Sequence, residues 1–469
     1  MSDISHALYR MAPYPAKILA ASFRGYRLRR WRYGRETDAL VAEALERDGF
    51  SAEAWTRWQA GRLGALLHRA ATKVPFYRLQ WAERRRAGDQ ARWDELENWP
   101  VLSKETIRRT PEAFVADDCD IRMLSVDETS GTTGTPLRVW RSREADRRWF
   151  ALFEARIRAW NGVSRHDRWA HCGGRRVASG DRRRPPFWVW NHALHQLYLS
   201  AYHVSPENVA AYAAALVCHR PRYFLGYPSA VAALATGVLE QGLATPGMTV
   251  VVTDSEPLIE RQRDVIRRAF QAPVRNTYGQ GEIVAAASEC SAGAMHLWPD
   301  AGVTEWLGDA TDEAVGPGLP GRLVSTGLLN DAMPLVRYDT GDRSRPAQVS
   351  TCGCGRRLPL LRGLEGRTAD LIFTPAGSPV GLLDIIFHSG LHIQEAQIVQ
   401  KRRNLIRILV VPAKGFSGVD STDMQRGVQA RLGADVEVMV DIVDKIARTA
   451  AGKFRVQVCE LSPEERGRS

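Results

Sequence analysis

Lysine is scarce in this chain: seven stand among 64 lysines and arginines combined, so a lysine inside a motif draws notice. No run of eighteen apolar residues occurs, so no segment is expected to cross a membrane as a helix. Internal repeats and low-complexity tracts are missing, which excludes solenoid and linker-rich architectures. Seven cysteines in 469 residues, an odd number, do not form the dense even set of a disulfide framework. With no cleavable leader pattern at the start, the expectation is a reducing cytoplasm. Zinc-finger, homeodomain and aromatic-basic RNA motifs are also missing. The formal charge of +11 therefore reads as arginine scattered over a solvated surface, with no nucleic-acid partner, although a positive cleft suits an acidic substrate.

A chain of 469 residues exceeds one hydrophobic core and is expected to divide. Residues 52–116 read mainly as helix, with Trp55, Trp58, Leu63, Leu66 and Leu67 at helical spacing and Ser103 as an N-cap before Lys104. Thereafter short apolar runs at 223–225, 249–252 and 322–324 read as buried strands, separated by helices at 206–219, 229–241 and 257–269. Alternation of this kind predicts an α/β fold with mixed sheets covered by helices. Past Asp370 the pattern becomes a smaller α+β region, with strands at 406–411 and 436–440 and a helix at 421–432. The expected division is 1–366, with 1–116 as a helical lead-in, and 367–469. From Leu8 to Tyr33, Ile18, Leu19, Phe23, Tyr26 and Trp31 interleave with Arg24, Arg27, Arg29, Arg30 and Arg32. Two readings stand for this segment: a helix packed on its own domain, or a basic amphipathic helix touching the inner face of a membrane.

The stretch Thr129 to Pro136, Thr-Ser-Gly-Thr-Thr-Gly-Thr-Pro, is built from small hydroxyls and glycines. Gly131 and Gly134 permit close backbone approach, and Ser130, Thr132, Thr133 and Thr135 add hydroxyl donors beside backbone N–H groups, a composition suited to phosphate. It is no Walker A loop, because no Gly-Lys-[Ser/Thr] follows. Further along stand Tyr278-Gly-Gln-Gly-Glu282, Tyr338-Asp-Thr-Gly-Asp342, Gly366-Arg-Thr-Ala-Asp370 and Gly452-Lys453.

In this order the five segments resemble the signatures of the adenylate-forming superfamily. Val74-Pro-Phe-Tyr77, Leu102-Ser-Lys104, Gly226-Tyr-Pro-Ser229 and Ser255-Glu-Pro257 are most similar to the phenylacetate-CoA ligase family, in a branch found with capsule and exopolysaccharide genes. The resemblance implies a large ATP- and acyl-binding domain and a small mobile C-terminal lid. It implies that Ser130 to Thr135 hold phosphate, that Ser255, Glu256 and Pro257 line adenine, and that Tyr278 and Gly279 border the purine. Asp342 would accept from the ribose hydroxyls, with Arg367 approaching the same ribose or the phosphate. Glu282 would supply an oxygen to Mg²⁺, Asp370 would be the hinge, and Lys453 would be the catalytic cation. Gly226, Tyr227, Pro228, Tyr202 and His203 are the expected acyl pocket, with Trp190 and Asn191 nearby. Two places depart from the superfamily pattern: Gly281 replaces a threonine, and Leu137 replaces the lysine that closes the phosphate loop.

An ionised carboxylate is acceptor-only and takes two donors at once, which fits Asp342 to a ribose diol. A lysine on a glycine-hinged loop supplies a movable point charge, as at Lys453. Cys290, His296, Cys352 and Cys354 offer a Cys₃His set, which reads either as structural Zn²⁺ or as free thiols. The resulting expectation is an ATP- and Mg²⁺-dependent ligase that makes an acyl-adenylate from a small carboxylic acid and passes the acyl group to CoA. An amine or sugar acceptor is the alternative, and a nucleotide-binding scaffold without catalysis is a rival from another class. Oligomeric state, a homodimer included, stays open.

Overall fold

The computed structural model describes residues 9 and 12–466 apart from 130–136, 176, 180–181, 310, 317, 348–350, 365, 367–369, 381–382, 384–385, 388–389, 450–451 and 463. The phosphate-loop residues Ser130 to Thr135, and Arg367, thus lie outside the described residues.

A twelve-stranded mixed sheet organises the larger part of the chain. Five of its strands run parallel and adjacent: Gln196–Ser200, Trp169–Gly173, Tyr223–Gly226, Val250–Thr253 and Val274–Gly279. Their runs are continuous and apolar because both faces are covered. On one face Ala170, Cys172, Leu197, Phe224 and Val251 pack beneath the helices Val209–His219, Pro228–Glu240 and Glu260–Phe270. On the other, Tyr223, Leu225, Val250 and Val252 pack against Ala145, Leu152 and Ala155 of the helical segment that begins at Arg143. The expected helices at 206–219, 229–241 and 257–269 each occur within a few residues, the last starting at Glu260 rather than at Pro257. Beyond Val274–Gly279 the sheet continues antiparallel through Ala286–Glu289 and Met295–Leu297 to Gly321–Gly327 and Tyr338–Pro346.

The helical lead-in is real and does not stand apart. Leu66, Leu67, Tyr77, Trp81 and Trp99 share one core with Leu335, Val336 and Tyr338. Ser103 caps the helix Lys104–Arg109, accepting from the Thr106 amide at 3.1 Å. A parallel bridge joins Leu102 to Tyr338, which carries Lys104 to the inner end of the strand Tyr338–Pro346. Near the C-terminus four strands in the order Glu437–Ile442, Leu405–Pro412, Ile393–Arg402 and Gln457–Cys459 form a second sheet. Met424, Val428 and Leu432 of the helix Gly418–Leu432 seal its core.

The helix Tyr14–Arg32 is packed on its own domain, the first of the two readings of its sequence. One side packs on the edge strand Trp188–Asn191, where Asn191 Nδ2 donates to the Ala21 carbonyl at 3.0 Å and Gly25 leaves room for the Asn191 amide. Its other side leaves Leu19, Phe23 and Tyr26 exposed.

Candidate active site

Parallel strands deliver their following loops to one edge, and ligands in such sheets bind outside the carboxyl ends. Here that edge gathers Gly174 after the first strand, Tyr202 and His203, Tyr227, Asp254 to Glu256, and Gly279 to Glu282. Gly226 is dictated by close approach: a Cβ there would lie 2.5 Å from the Cys172 carbonyl oxygen. Pro228 fills the first turn of the next helix, where its missing N–H costs nothing. Ser255 holds a left-handed backbone at φ 66°, a strained conformation for a residue with a side chain.

Glu282 is buried, and its Oε1 accepts from the Tyr338 hydroxyl at 2.9 Å and from Lys104 Nζ at 3.1 Å. Its Oε2 has no hydrogen-bond partner among the described residues. One oxygen is fixed by two donors and the other is left for a cation, which fits a carboxylate that serves Mg²⁺ together with phosphate and water. The Gly281 carbonyl is held by Arg141 Nη1 at 3.1 Å, and Arg141 also pairs with Asp146 at 2.9 Å. The Tyr278 hydroxyl donates to Asp342 Oδ2, on the strand Tyr338–Pro346, at 2.8 Å. Burial first, and then the Asp342 charge, drive the Tyr278 pKa well above its ordinary value, so the phenol keeps its proton. Residues 64 positions apart in sequence thus meet in one carboxylate-rich corner.

Lys453 comes to the same edge. The Phe454 amide donates to Glu256 Oε1, and Gly452 seats against the Tyr202 ring, 2.9 Å from where its Cβ would stand. Lys453 Nζ lies 5.9 Å from the centre of the Tyr227 ring, within cation–π range. The Tyr202 hydroxyl donates to the Gly174 carbonyl at 2.9 Å, closing the circle to the first parallel strand.

Several expected roles look different in three dimensions. Glu256, expected along adenine, instead bridges Ser229 N–H at 3.1 Å and the Phe454 amide, and its carboxyl is pushed up to about 6 because burial outweighs those hydrogen bonds. His203 is not an open pocket wall: it is buried, stacks on Phe187 at 4.9 Å, and engages Ser200 Oγ at 2.8 Å and the Ser179 carbonyl at 2.9 Å. Both ring nitrogens are used, so packing accounts for it. Asn191 anchors the N-terminal helix, and Trp190 stacks on His219 at 4.7 Å, so neither lines the Tyr227 region. Asp370 pairs with Arg455, two residues from Lys453, and its carbonyl accepts from Gln457 Nε2 at 2.7 Å. Gly279 faces Trp149.

Sequence reasoning missed roles for Lys104, Tyr338 and Arg141, and it missed Asp254, whose Oδ1 is buried with no hydrogen bond. The signals for Lys104 were lysine scarcity and its place in the segment Leu102-Ser-Lys104, neither of which pointed to Glu282. Asp254 has its pKa raised by burial, opposed by Lys453.

Away from this edge, ligand atoms of Cys290, His296, Cys352 and Cys354 lie within 4.8 Å of one another. Cys290 and Cys352 Sγ atoms are 3.6 Å apart, and Cys354 Sγ is 3.4 Å from His296 Nε2. His296 Nδ1 faces the Leu358 carbonyl at 3.2 Å, a contact that assigns the proton to Nδ1 and frees Nε2 as a ligand.

Residues 374–460 match the family model described as the CapK C-terminal domain. Protein CapK of Staphylococcus aureus is 23% identical over 364 residues, covering 76% of this chain and 79% of that protein. Phenylacetate-coenzyme A ligase of Pseudomonas putida is 24% identical over 338 residues, covering 69% and 72%. A crystal structure of 2-hydroxyisobutyryl-CoA ligase in the postadenylation state, with R3-HIB-AMP, overlays with a TM-score of 0.69 at 22% identity, over 90% of this chain and 92% of that one. The chain thus shares the fold of an adenylate-forming CoA ligase and is similar in sequence to CapK and to phenylacetate-coenzyme A ligases. For an adenylate-forming enzyme, a cleft at the strand ends capped by a C-terminal lysine loop is the arrangement the chemistry requires, since nucleotide, acid and cation must meet in one place.

Proposed function

We propose that this chain activates a small carboxylic acid with ATP and transfers the acyl group to CoA. The observation that carries the first step is the convergence of Glu282, Asp342 and Lys453 on one sheet edge. An acid carboxylate oxygen bonds to the α-phosphorus of ATP while the bond to the β-phosphate oxygen breaks, giving acyl-adenylate and pyrophosphate. Negative charge grows on the bridging and leaving oxygens, and Lys453 is the cation positioned to meet it. Asp342, oriented by Tyr278, receives the ribose hydroxyls. Glu282, fixed by Lys104 and Tyr338, is the residue that would hold Mg²⁺, an ion that would offset the negative charge of the phosphates. Tyr227, Gly226, Pro228 and Tyr202 wall the acyl site, and residues 367–469 act as a lid that pivots near Asp370 between the two half-reactions.

Pyrophosphate release and hydroxamate trapping with a panel of acids test the activation step; a scaffold yields neither. Adding CoA separates acceptors. Thioester formation is expected, and release that ignores CoA but requires an amine or a sugar assigns the alternative amide or ester ligase.

Cys290, His296, Cys352 and Cys354 have the donor set and the spacing of a structural Zn²⁺ site, tying the 351–359 loop to the sheet. The helix Tyr14–Arg32 carries six basic residues and no acid, and it exposes Leu19, Phe23 and Tyr26. That pairing of apolar and cationic surface supports peripheral contact with an anionic membrane face. No described helix is long and apolar enough to cross a membrane.

A further inference from the structure

A cavity of about 210 Å³ lies under the N-terminal helix, on the face of the sheet formed by Trp169, His171 and Tyr198. It is small for a nucleotide and adequate for a ring or short chain. Five arginines and three histidines line it, and no carboxylate does. Arg158 is matched by Glu154 at 2.8 Å and Arg165 by Asp38 at 2.6 Å. Arg32 and Arg175 have no carboxylate within ion-pair distance among the described residues. Arg32 lies 4.0 Å from the Phe150 ring centre and Arg175 lies 5.2 Å from that of Tyr198, so both guanidinium groups rest on aromatic faces. Asp146, the carboxylate nearest in charge to Arg32, is already taken by Arg141, Trp31 Nε1 and Ser125 Oγ.

The cavity adjoins the proposed reaction centre. Its wall residue Tyr198 accepts from the Arg175 amide at 2.9 Å, while the preceding residue, Gly174, accepts from Tyr202, the ring on which the lysine loop sits. An acid whose carboxylate faces Lys453 therefore has the Arg175 side of this cavity next to its far end. Arg175 is exposed where it lines the cavity and Arg32 is partly buried, so the cost of a missing counter-charge falls mainly on Arg32: burial, joined by Arg175 and Arg141, brings it down to about 10 against the pull of Tyr33 and Asp146, while burial and then Arg175 hold His171 down to about 3. An anionic group would relieve both.

We propose that the acid activated by this enzyme carries a second anionic group, carboxylate or phosphate, seated between Arg32 and Arg175 in the cavity beyond Tyr198. This rests on the activation reading above and names its substrate class. Planar forks on two arginines suit either anion, since each presents paired oxygens.

The test compares phenylacetate, 4-carboxyphenylacetate and 4-phosphonophenylacetate in pyrophosphate release, using the full chain with ATP and Mg²⁺. The dianions are expected to exceed phenylacetate in kcat/KM by roughly 10- to 100-fold, the range of a charge-assisted hydrogen bond; the better of the two tells carboxylate from phosphate. Arg175→Gln should erase that preference with KM for ATP unchanged, and Arg175→Lys should keep part of it. Equal use of all three acids, or an equal loss for all three in Arg175→Gln, overturns the proposal. Should no acid release pyrophosphate, the activation reading fails, and titration of intrinsic tryptophan fluorescence decides the pocket separately. Saturable binding of a dianion, weakened by Arg175→Gln and absent for phenylacetate, upholds it; binding that ignores the second charge overturns it.

Discussion

The Tyr338 hydroxyl and Lys104 Nζ converge on a single oxygen of Glu282, at 2.9 Å and 3.1 Å. A buried carboxylate stripped of such donors is left with its desolvation cost. Lys104→Ala is expected to lower thermal stability by about 1–3 kcal/mol and to raise the Mg²⁺ concentration needed for half-maximal pyrophosphate release. Calorimetry and a magnesium titration check both. An unchanged magnesium requirement would separate Glu282 from the metal.

Lys453 sits on a loop whose backbone is tied to Glu256 through the Phe454 amide and to Tyr202 through Gly452, so the proposed lid keeps those contacts when the side chain is removed. Lys453→Ala should reduce adenylate formation by about 10²–10³ while leaving the melting temperature within a degree or so. Hydroxamate trapping reads the first quantity and a thermal scan the second.

Glu256 links lid docking to pH. Docked, its carboxyl is pushed from an ordinary 4.5 to about 6 by burial. With the lid away the group regains water and its ordinary value. Because the docked state holds the proton more tightly, docking is favoured below pH 4.5, weakens as pH rises from 4.5 to 6, and is level above. Energy transfer between dyes on the lid and on the helix Pro228–Glu240 should trace that fall, and Glu256→Gln should flatten it. A variant that keeps the same slope removes Glu256 as the cause.

One zinc per chain is expected in the purified protein by elemental analysis. Cys352→Ser should lose the metal and lower the melting temperature by several degrees, with proteolysis appearing first in the 351–359 loop. Metal content near zero in freshly prepared, untagged protein would leave the four side chains as thiols and imidazole.

Much of the large sheet was legible because buried parallel strands leave continuous apolar runs: 223–225 and 249–252 became Tyr223–Gly226 and Val250–Thr253. The small sheet was legible at 406–411 and 436–440 from short β-branched apolar runs, although burial there alternates along each strand. Tyr278 and Asp342, within strands, and Glu282, in the turn after one, could be named because short motifs fix them within a few positions. What stayed hidden was partnership across the chain. Nothing local marks Lys104 as a neighbour of Glu282, since a bridge between Leu102 and Tyr338 brings them together. Glu256 misled for a related reason: its motif fixes its position in the loop, while its direction depends on where the Phe454 amide arrives. His203 and Asn191 show the same gap, being polar residues whose hydrogen bonds run to Ser200 and to the N-terminal helix.

The bond between the Glu256 carboxylate and the lysine loop uses the main-chain nitrogen of Phe454 as its donor. Side-chain exchange at that position leaves the donor in place, and among single replacements proline alone deletes it. Because the Phe454 ring is buried in the core of the small sheet, trimming it would loosen that core while the clasp itself persists.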